Sequence, residues 1–455
     1  MAHLRGHEGV FDMIEGAGCV DQLDVDVAVV GGGLAGLATA THLARRQRRV
    51  VCIEHQSWPR PAVGESLEFS APGLLAAIGV DLEDGERQQY LFPKTSVQIS
   101  GGSEEFAVWP PPWFAGPPIW CSRLAFHTDR VELDQHMLQL AINNGAEVLP
   151  ERVTSVARCN DRVTGLTTNR GTRVTAQWYV DATGHDTRLF GRTLELETVP
   201  LGESRIAYWA RFDEPPTGHS TNLFFPQPLT DELEWAWEIP LNPSQISVGV
   251  VLSTVRARAL RSEGCQPRDI YIDYLDTIPA LERLATKAVD VNVAATTYTP
   301  YRHRHCIGTN WILVGDACAM VDPLTSNGVT ASLRQADQAA RIISDSLDRE
   351  RRSRHRAWVF EATAPATVTA LDNAIEAFLY RSTVRRRLGL RSAVTLYAAT
   401  GVITNSLYAK LNPVTLPRAL ACAAMLAASR IWTRTASAAL PRIVWPRGVP
   451  ARRVP

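Results

Sequence analysis

The stretch DVDVAVVGGGLAGLATATHLARRQRRVVCIEH, Asp24 to His55, leaves this chain few ways to fold. A short apolar run enters a glycine turn, a helix of small residues follows, and a second apolar run leads to Glu54. Gly31, Gly33 and Gly36 fit G-x-G-x-x-G. Glu54 follows at the distance of about 20 residues at which the dinucleotide fingerprint carries its acid. Each residue type has a physical reason. Glycine lets the backbone approach a pyrophosphate, the helix N-terminus offers unpaired N–H groups to its charge, and the acid accepts from a ribose hydroxyl. Strand, turn, helix and acid in register predict a dinucleotide site on an α/β sheet.

Two further stretches carry signal. WILVGDACAMVDPLTSNGVTASLRQADQAARII, Trp311 to Ile343, reads as a buried strand, Gly315-Asp316, a proline-containing loop and a long helix from near Asn327. LEWAWEIPLN, Leu233 to Asn242, sets Trp235, Trp237 and Ile239 on one face of a strand and Ala236 and Glu238 on the other. Pro240 has no N–H to donate and is expected to end that strand. Taken alone, the indole pair reads as a sheet face packed on its own core. No second G-x-G-x-x-G follows a strand, which argues against a separate nicotinamide domain.

Bulk properties narrow the class. A chain of 455 residues with 45% hydrophobic content can hold a large nucleotide-binding fold, an inserted second unit and an extension. The 47 basic and 47 acidic residues cancel, so nothing calls for a nucleic-acid partner. Eight scattered cysteines without C-x-x-C read as reduced thiols in a cytoplasmic protein, and the first residues show no signal-peptide run. His303 and His305 lack acidic partners at metal-binding spacing, so no metal is expected. Only three lysines occur, Lys94, Lys287 and Lys410. Where arginine fills nearly every basic position, a retained lysine can do what arginine cannot, which is lose its proton.

The chain resembles the FAD-dependent monooxygenases and, among them, the flavin-dependent halogenases. Gly315-Asp316 and the helix after it look like the second FAD fingerprint, TDRVELDQHML with Arg130 like the family's arginine-bearing helix, and WYVDATGH like its D-A-x-G turn. RPAVGESLEFS resembles the G-E-[AS] segment, Lys94 lies 29 residues beyond Glu65 where the family has its active-site lysine, and WAWEIP fits W-x-W-x-I-P. The resemblance implies FAD, used as FADH2 from a separate flavin reductase, with O2 and chloride or bromide giving hypohalous acid. It further implies a halide site at Asn327 and Gly328, and Lys94 as the group that hydrogen-bonds hypohalous acid or carries the halogen as a haloamine. Trp235 and Trp237 would then partition flavin from substrate. Tryptophan-type members carry Glu immediately before the loop serine, whereas Thr325 precedes Ser326 here, and Met320 stands where many have Phe. That favours a phenol or pyrrole, free or tethered to an acyl or peptidyl carrier protein. The alternative is a flavin monooxygenase or a geranylgeranyl-reductase-like oxidoreductase.

The expected architecture is a Rossmann-like FAD-binding domain over 24–345, in pieces near 24–90, 125–190 and 300–345. An antiparallel substrate-side sheet from about 91–124 and 191–299 is inserted in it, and 346–455 form a helical C-terminal region. The proline- and tryptophan-rich Ser100 to Trp120 reads either as the roof of an arene pocket or as an ordinary plugged loop. The apolar C-terminal helices read either as core or as a patch for membrane or carrier protein.

Overall fold

The computed structural model describes residues 22–398, apart from 59–62, 102–103, 109–114, 117–118, 121–124, 227–232 and 381. The first strand, Gln22–Val30, is central to a seven-stranded sheet. On one side it pairs in parallel with Val50–Ile53 and then Glu147–Leu149. On the other it pairs in parallel with Arg173–Asp181, whose far edge takes Arg162–Thr168 antiparallel and, nearer its C-terminus, Trp311–Leu313 in parallel. Strands covered on both faces need continuous apolar sequence, which is why VAVV and VVCI show no alternation. The helix Leu34–Ala44 is buried on every side, wedged against Asn327–Leu347 and Arg130–Asn143, and its small residues permit that approach. Gly36 shows the limit: a Cβ there would lie 1.8 Å from the Gly31 carbonyl oxygen.

A second seven-stranded sheet runs Ala294–Tyr298, Arg205–Phe212, Gln245–Ser253, Trp235–Asn242, Ser220–Phe225, Ser96–Gly101, Glu104–Val108. It is antiparallel throughout except for one pair, Ser220–Phe225 with Ser96–Gly101, which is parallel. That pair joins the two stretches of chain that both enter this sheet, and no hairpin dictates its direction. The inner face carries Trp235, Trp237, Ile239 and Leu241 into the main core, while Ala236 joins a smaller core with Ile270, Tyr271 and Leu275 of the helix Pro267–Asp276. The period-2 reading of the tryptophan strand holds. Its expected end does not, because the strand continues through Pro240 to Asn242. The ladder with Ser220–Phe225 already stops at Glu238, and a bulge between Pro240 and Asn242 absorbs the irregularity on the other side.

A short ribbon between the sheets matters most for the site. Leu91–Lys94 pairs antiparallel with Ala125–Thr128, placing Lys94 opposite Ala125, and Ser66 bridges to His127 on that strand's other edge. The tryptophan strand packs against both strands of the ribbon. Beyond Asn327–Leu347 the chain is helical: Arg352–Ile375, a π-helical turn Glu376–Tyr380, and Ser382–Leu388. The later apolar stretches lie outside the described residues, as does much of Ser100 to Trp120. No helix among the described residues is long and apolar enough to cross a membrane.

Gly249 sits opposite Trp237, and a Cβ on it would come within 2.3 Å of the indole. Gly249→Val should therefore lower stability by about 1–3 kcal/mol through overpacking, read as a lower midpoint in thermal or urea unfolding. An unchanged midpoint would mean that the indole is not seated across that strand.

Candidate active site

The glycine turn is shaped for a close-approaching ligand. Gly31 has φ +104°, and a Cβ on it would meet the Ala182 carbonyl at 2.4 Å. Gly33 is the N-cap of the first helix, whose opening turn has no acidic residue. Glu54, buried after the second strand, accepts from the Gly32 N–H at 2.7 Å and the Gln56 N–H at 2.9 Å. It thus ties the turn to the strand, and a carboxylate has further lone pairs for a ribose. Arg130 opens its helix and is held by Asp134 through two parallel bonds of 2.9 and 3.0 Å and by the Val63 carbonyl at 2.6 Å. Three of its five N–H donors are used, leaving two for an anion.

On the facing element Gly315 has φ +63° and its N–H donates to Gln335 Oε1 at 2.7 Å, while Asp316 is partly exposed. His185, which sequence reasoning passed over, lies 3.8 Å from Asp316. The nearby Asp316 carboxylate raises its pKa above the ordinary imidazole value. Its DATGH neighbour Asp181 is fully buried and accepts from Thr183 N, Thr183 Oγ1 and Phe190 N, so it holds the turn. A backbone cradle that no side chain can enter, an arginine with donors to spare and two acids for hydroxyls fit a dinucleotide such as FAD.

Lys94 is 2% exposed, whereas the other described lysine, Lys287, is an exposed partner of Glu214. Its Nζ reaches over the ribbon to donate to Ser66 Oγ at 2.8 Å and to the Leu67 carbonyl at 2.9 Å. Both acceptors are neutral. Burial lowers the amine's pKa from its usual 10.5 to about 8, against a smaller opposing pull from Glu68. Glu68 is itself engaged by the Ser70 N–H at 2.9 Å and, from the long helix, by Thr330 Oγ1 at 3.4 Å.

The loop Asp322 to Ser326 leads into the helix Asn327–Leu347. Ser326 is left-handed at φ +61°, no side chain caps the helix, and its first turn has no acid. Asn327 is buried and donates to Thr325 Oγ1 and Tyr397 Oη, both at 2.8 Å, while Tyr397 Oη donates to Thr325 Oγ1 at 2.6 Å. Thr325 is thus a fastening point between the start of the helix and Tyr397. A Cβ on Gly328 would meet nothing within 4 Å among the described residues.

The indoles tie these two halves together. Trp235 Nε1 donates to Tyr380 Oη at 2.9 Å, and Tyr380 donates to Asp322 Oδ2 at 3.1 Å. Asp322 also accepts from Tyr298 Oη, Arg205 and the Leu324 N–H, so it anchors the loop. Trp237 Nε1 donates to Ser247 Oγ at 3.3 Å, and the Ser247 hydroxyl acts against the burial that raises the pKa of Glu65, the residue before Ser66. Glu65 is paired with Arg211 at 3.0 Å. The rings themselves are 5.7 Å apart. Sequence reading found the tryptophans and Lys94 but missed Ser66, Tyr380, Asp322 and Arg205. Only Ser66 carried a signal, as the third residue of G-E-S. Of the histidines weighed for metal, His303 is buried in a strand and His305 pairs with Glu361 at 2.7 Å, an acid distant in sequence. Among the described residues no cluster of three ligating side chains could hold a metal.

Comparison with known proteins agrees with this geometry. Residues 116–386 match the family described as tryptophan halogenase, and residues 26–87 match FAD dependent oxidoreductase. A flavin-dependent halogenase of Armillaria mellea, armH3, is 27% identical over 351 residues, covering 71% of this chain and 68% of that protein. A 1H-pyrrole-2-carbonyl-[peptidyl-carrier protein] brominase of Pseudoalteromonas luteoviolacea is 25% identical over 338 residues, covering 71% and 78%. Among solved structures, the flavin-dependent brominase Bmp2 superposes with a TM-score of 0.69 at 19% identity, over 90% of this chain and all of that one.

Tyr380→Phe would leave the Trp235 N–H without its acceptor and Asp322 without one donor, both in the core. The expected cost is about 1–3 kcal/mol, measured by urea unfolding. A loss within error of zero would show that the tyrosine does not link strand and loop.

Proposed function

The chain belongs to the tryptophan halogenase family, and we propose that it halogenates an electron-rich aromatic ring of phenol or pyrrole type through Lys94. The observation that carries this reading is a buried lysine amine held only by neutral acceptors, in a chain otherwise almost without lysine.

Gly31, Gly33, Gly36, Glu54, Arg130, Gly315 and Asp316 would hold the FAD that this family uses. Bound and reduced, FAD supplies the two-electron activation of O2 that turns halide into hypohalous acid. The rest is the protein's part. Backbone N–H groups at Asn327 and Gly328, at a helix N-terminus that no described side chain caps, would hold chloride or bromide by charge. The indole pair, packed against the Lys94 ribbon and fastened to the halide loop, would keep the arene from the flavin.

At Lys94 the neutral amine attacks the halogen of hypohalous acid. The N–X bond forms, the O–X bond breaks, and the hydroxide leaving takes an amine proton as water. The arene carbon then takes the halogen and returns a proton to the amine. Arginine cannot serve, since it does not lose its charge. With Thr325 fastened by Asn327 and Tyr397, no carboxylate of the tryptophan-type kind assists at that position. The ring must activate itself, as phenols and pyrroles do. The similarity to a brominase of a carrier-bound pyrrole favours a substrate presented on a peptidyl carrier protein. Reduced flavin would come from a separate reductase.

The test is incubation with reduced FAD, O2, chloride or bromide and a panel of phenols and pyrroles, free and carrier-bound, read by mass. Halogenated product is expected, and hydroxylated product free of halogen would overturn the reading. Lys94→Ala and Lys94→Arg should each abolish halogenation and leave flavin reoxidation intact; halogenation surviving in either would exclude the lysine. The pH dependence has a definite sign. The amine is neutral above about 8, so the halogenation rate should climb about tenfold per pH unit below 8 and level off above it. A rate that falls as pH rises through 8 would assign the work to the charged form.

A further inference from the structure

Behind Lys94 lies a row of side chains that the reaction as described does not use. Ser66 Oγ is 2.8 Å from Thr221 Oγ1, and Thr221 Oγ1 is 2.9 Å from His127 Nε2. All are buried, with His127 0% exposed, and His127 Nδ1 has no partner. They come from three places: the G-E-S segment, the strand Ser220–Phe225 and the ribbon strand Ala125–Thr128. A chance cluster of polar side chains in a core is costly, so its hydrogens can be followed one by one.

Suppose His127 Nε2 carried the hydrogen. Thr221 would accept it and donate to Ser66, which already accepts from Lys94. The serine's own hydrogen could then go only to the lone pair of the neutral amine, which would leave one amine hydrogen without an acceptor among the described residues. In the opposite direction Ser66 donates to Thr221, Thr221 donates to His127 Nε2, and the only unmatched hydrogen is on Nδ1. The second arrangement keeps both amine hydrogens bonded, to Ser66 Oγ and to the Leu67 carbonyl. It also fixes Ser66 with a lone pair turned to Lys94. The amine thus meets two acceptors, Ser66 Oγ and the Leu67 carbonyl. A neutral amine has two hydrogens. Both are used, and its lone pair takes the remaining position.

Resting on the halogenase reading, we propose that Ser66, Thr221 and His127 are positioning residues that hold the neutral amine of Lys94 with its lone pair presented to hypohalous acid. The chain is an orienting device and not a proton wire. Burial and the neighbouring Lys94 hold His127 far below the ordinary imidazole pKa, so it stays a neutral acceptor and takes no proton from the lysine.

Thr221→Val removes one hydroxyl at nearly constant volume. Ser66 then loses its acceptor, and the base left within its reach is the lysine's own lone pair. The chain therefore predicts an unusual pairing: halogenation slower by about tenfold or more, together with a Lys94 pKa lower than in the wild type. Simple disruption of the core would do the reverse, admitting water and moving the pKa up toward the ordinary value.

With three lysines in the chain, 13C-lysine labelling gives few resonances, and Lys94→Arg assigns the one that matters. The full chain is titrated by NMR with and without FAD. Expected are a Lys94 midpoint near 8 in the wild type, a lower one in Thr221→Val, and wild-type midpoint and rate in Thr221→Ser. A Thr221→Val midpoint that is unchanged or raised, or a wild-type rate in that variant, would overturn the proposal. The titration reads the chain without turnover. Failure of the halogenase reading appears separately, as wild-type protein that titrates as expected yet yields no halogenated product.

Discussion

The site depends on an amine buried with no carboxylate against it. Lys94 is 2% exposed, and its partners are a hydroxyl and a carbonyl. An ammonium so placed loses much of its hydration and has only the smaller pull of Glu68 to offset that loss, so its proton is loosely held. An ion pair would have kept the amine charged and unreactive. Full exposure would have left it charged near its ordinary pKa and open to water. The ribbon avoids both. It brings Lys94 across from Ala125 and sets Ser66 and Leu67 on the other edge of the same strand, so three short segments define the amine's place.

The tryptophan strand gives that arrangement its reach. One indole is bonded through Tyr380 to Asp322, which fastens the loop before the long helix, and the other is bonded to Ser247 on the neighbouring strand. The π-helical turn Glu376–Tyr380 ends at the tyrosine that makes the first link. Both rings are buried and pack in the main core, one N–H bonded to Tyr380 and the other to Ser247. Phenylalanine would fill much of the same space and make neither bond.

Much of this was legible in the sequence. The glycine turn, the buried strands and the small-residue helix follow from local spacing, and the long helix begins at Asn327 as expected. The period-2 alternation assigned Trp235, Trp237 and Ile239 to one face correctly. What escaped was long-range. The strand runs past Pro240 because its neighbour on one side has already ended, a fact of pairing that the residue itself cannot signal. The parallel pairing of Ser96–Gly101 with Ser220–Phe225 joins segments that no turn connects. Tyr380, Thr221 and Asp322 lie far apart in the chain and carry no motif, so only the folded structure reveals what they hold. The sequence shows Thr325 where tryptophan-type members carry Glu, and the structure adds that its hydroxyl is bound by Asn327 and Tyr397.

The central claim is that Lys94 itself carries the halogen. The most direct measurement supplies holoenzyme with reduced flavin, O2 and bromide, without arene, and locates any modification by peptide mass spectrometry. The account predicts one bromine in place of hydrogen on Lys94, discharged when a phenol or pyrrole substrate is added. Halogenated arene formed with Lys94 unmodified at every time sampled would contradict it.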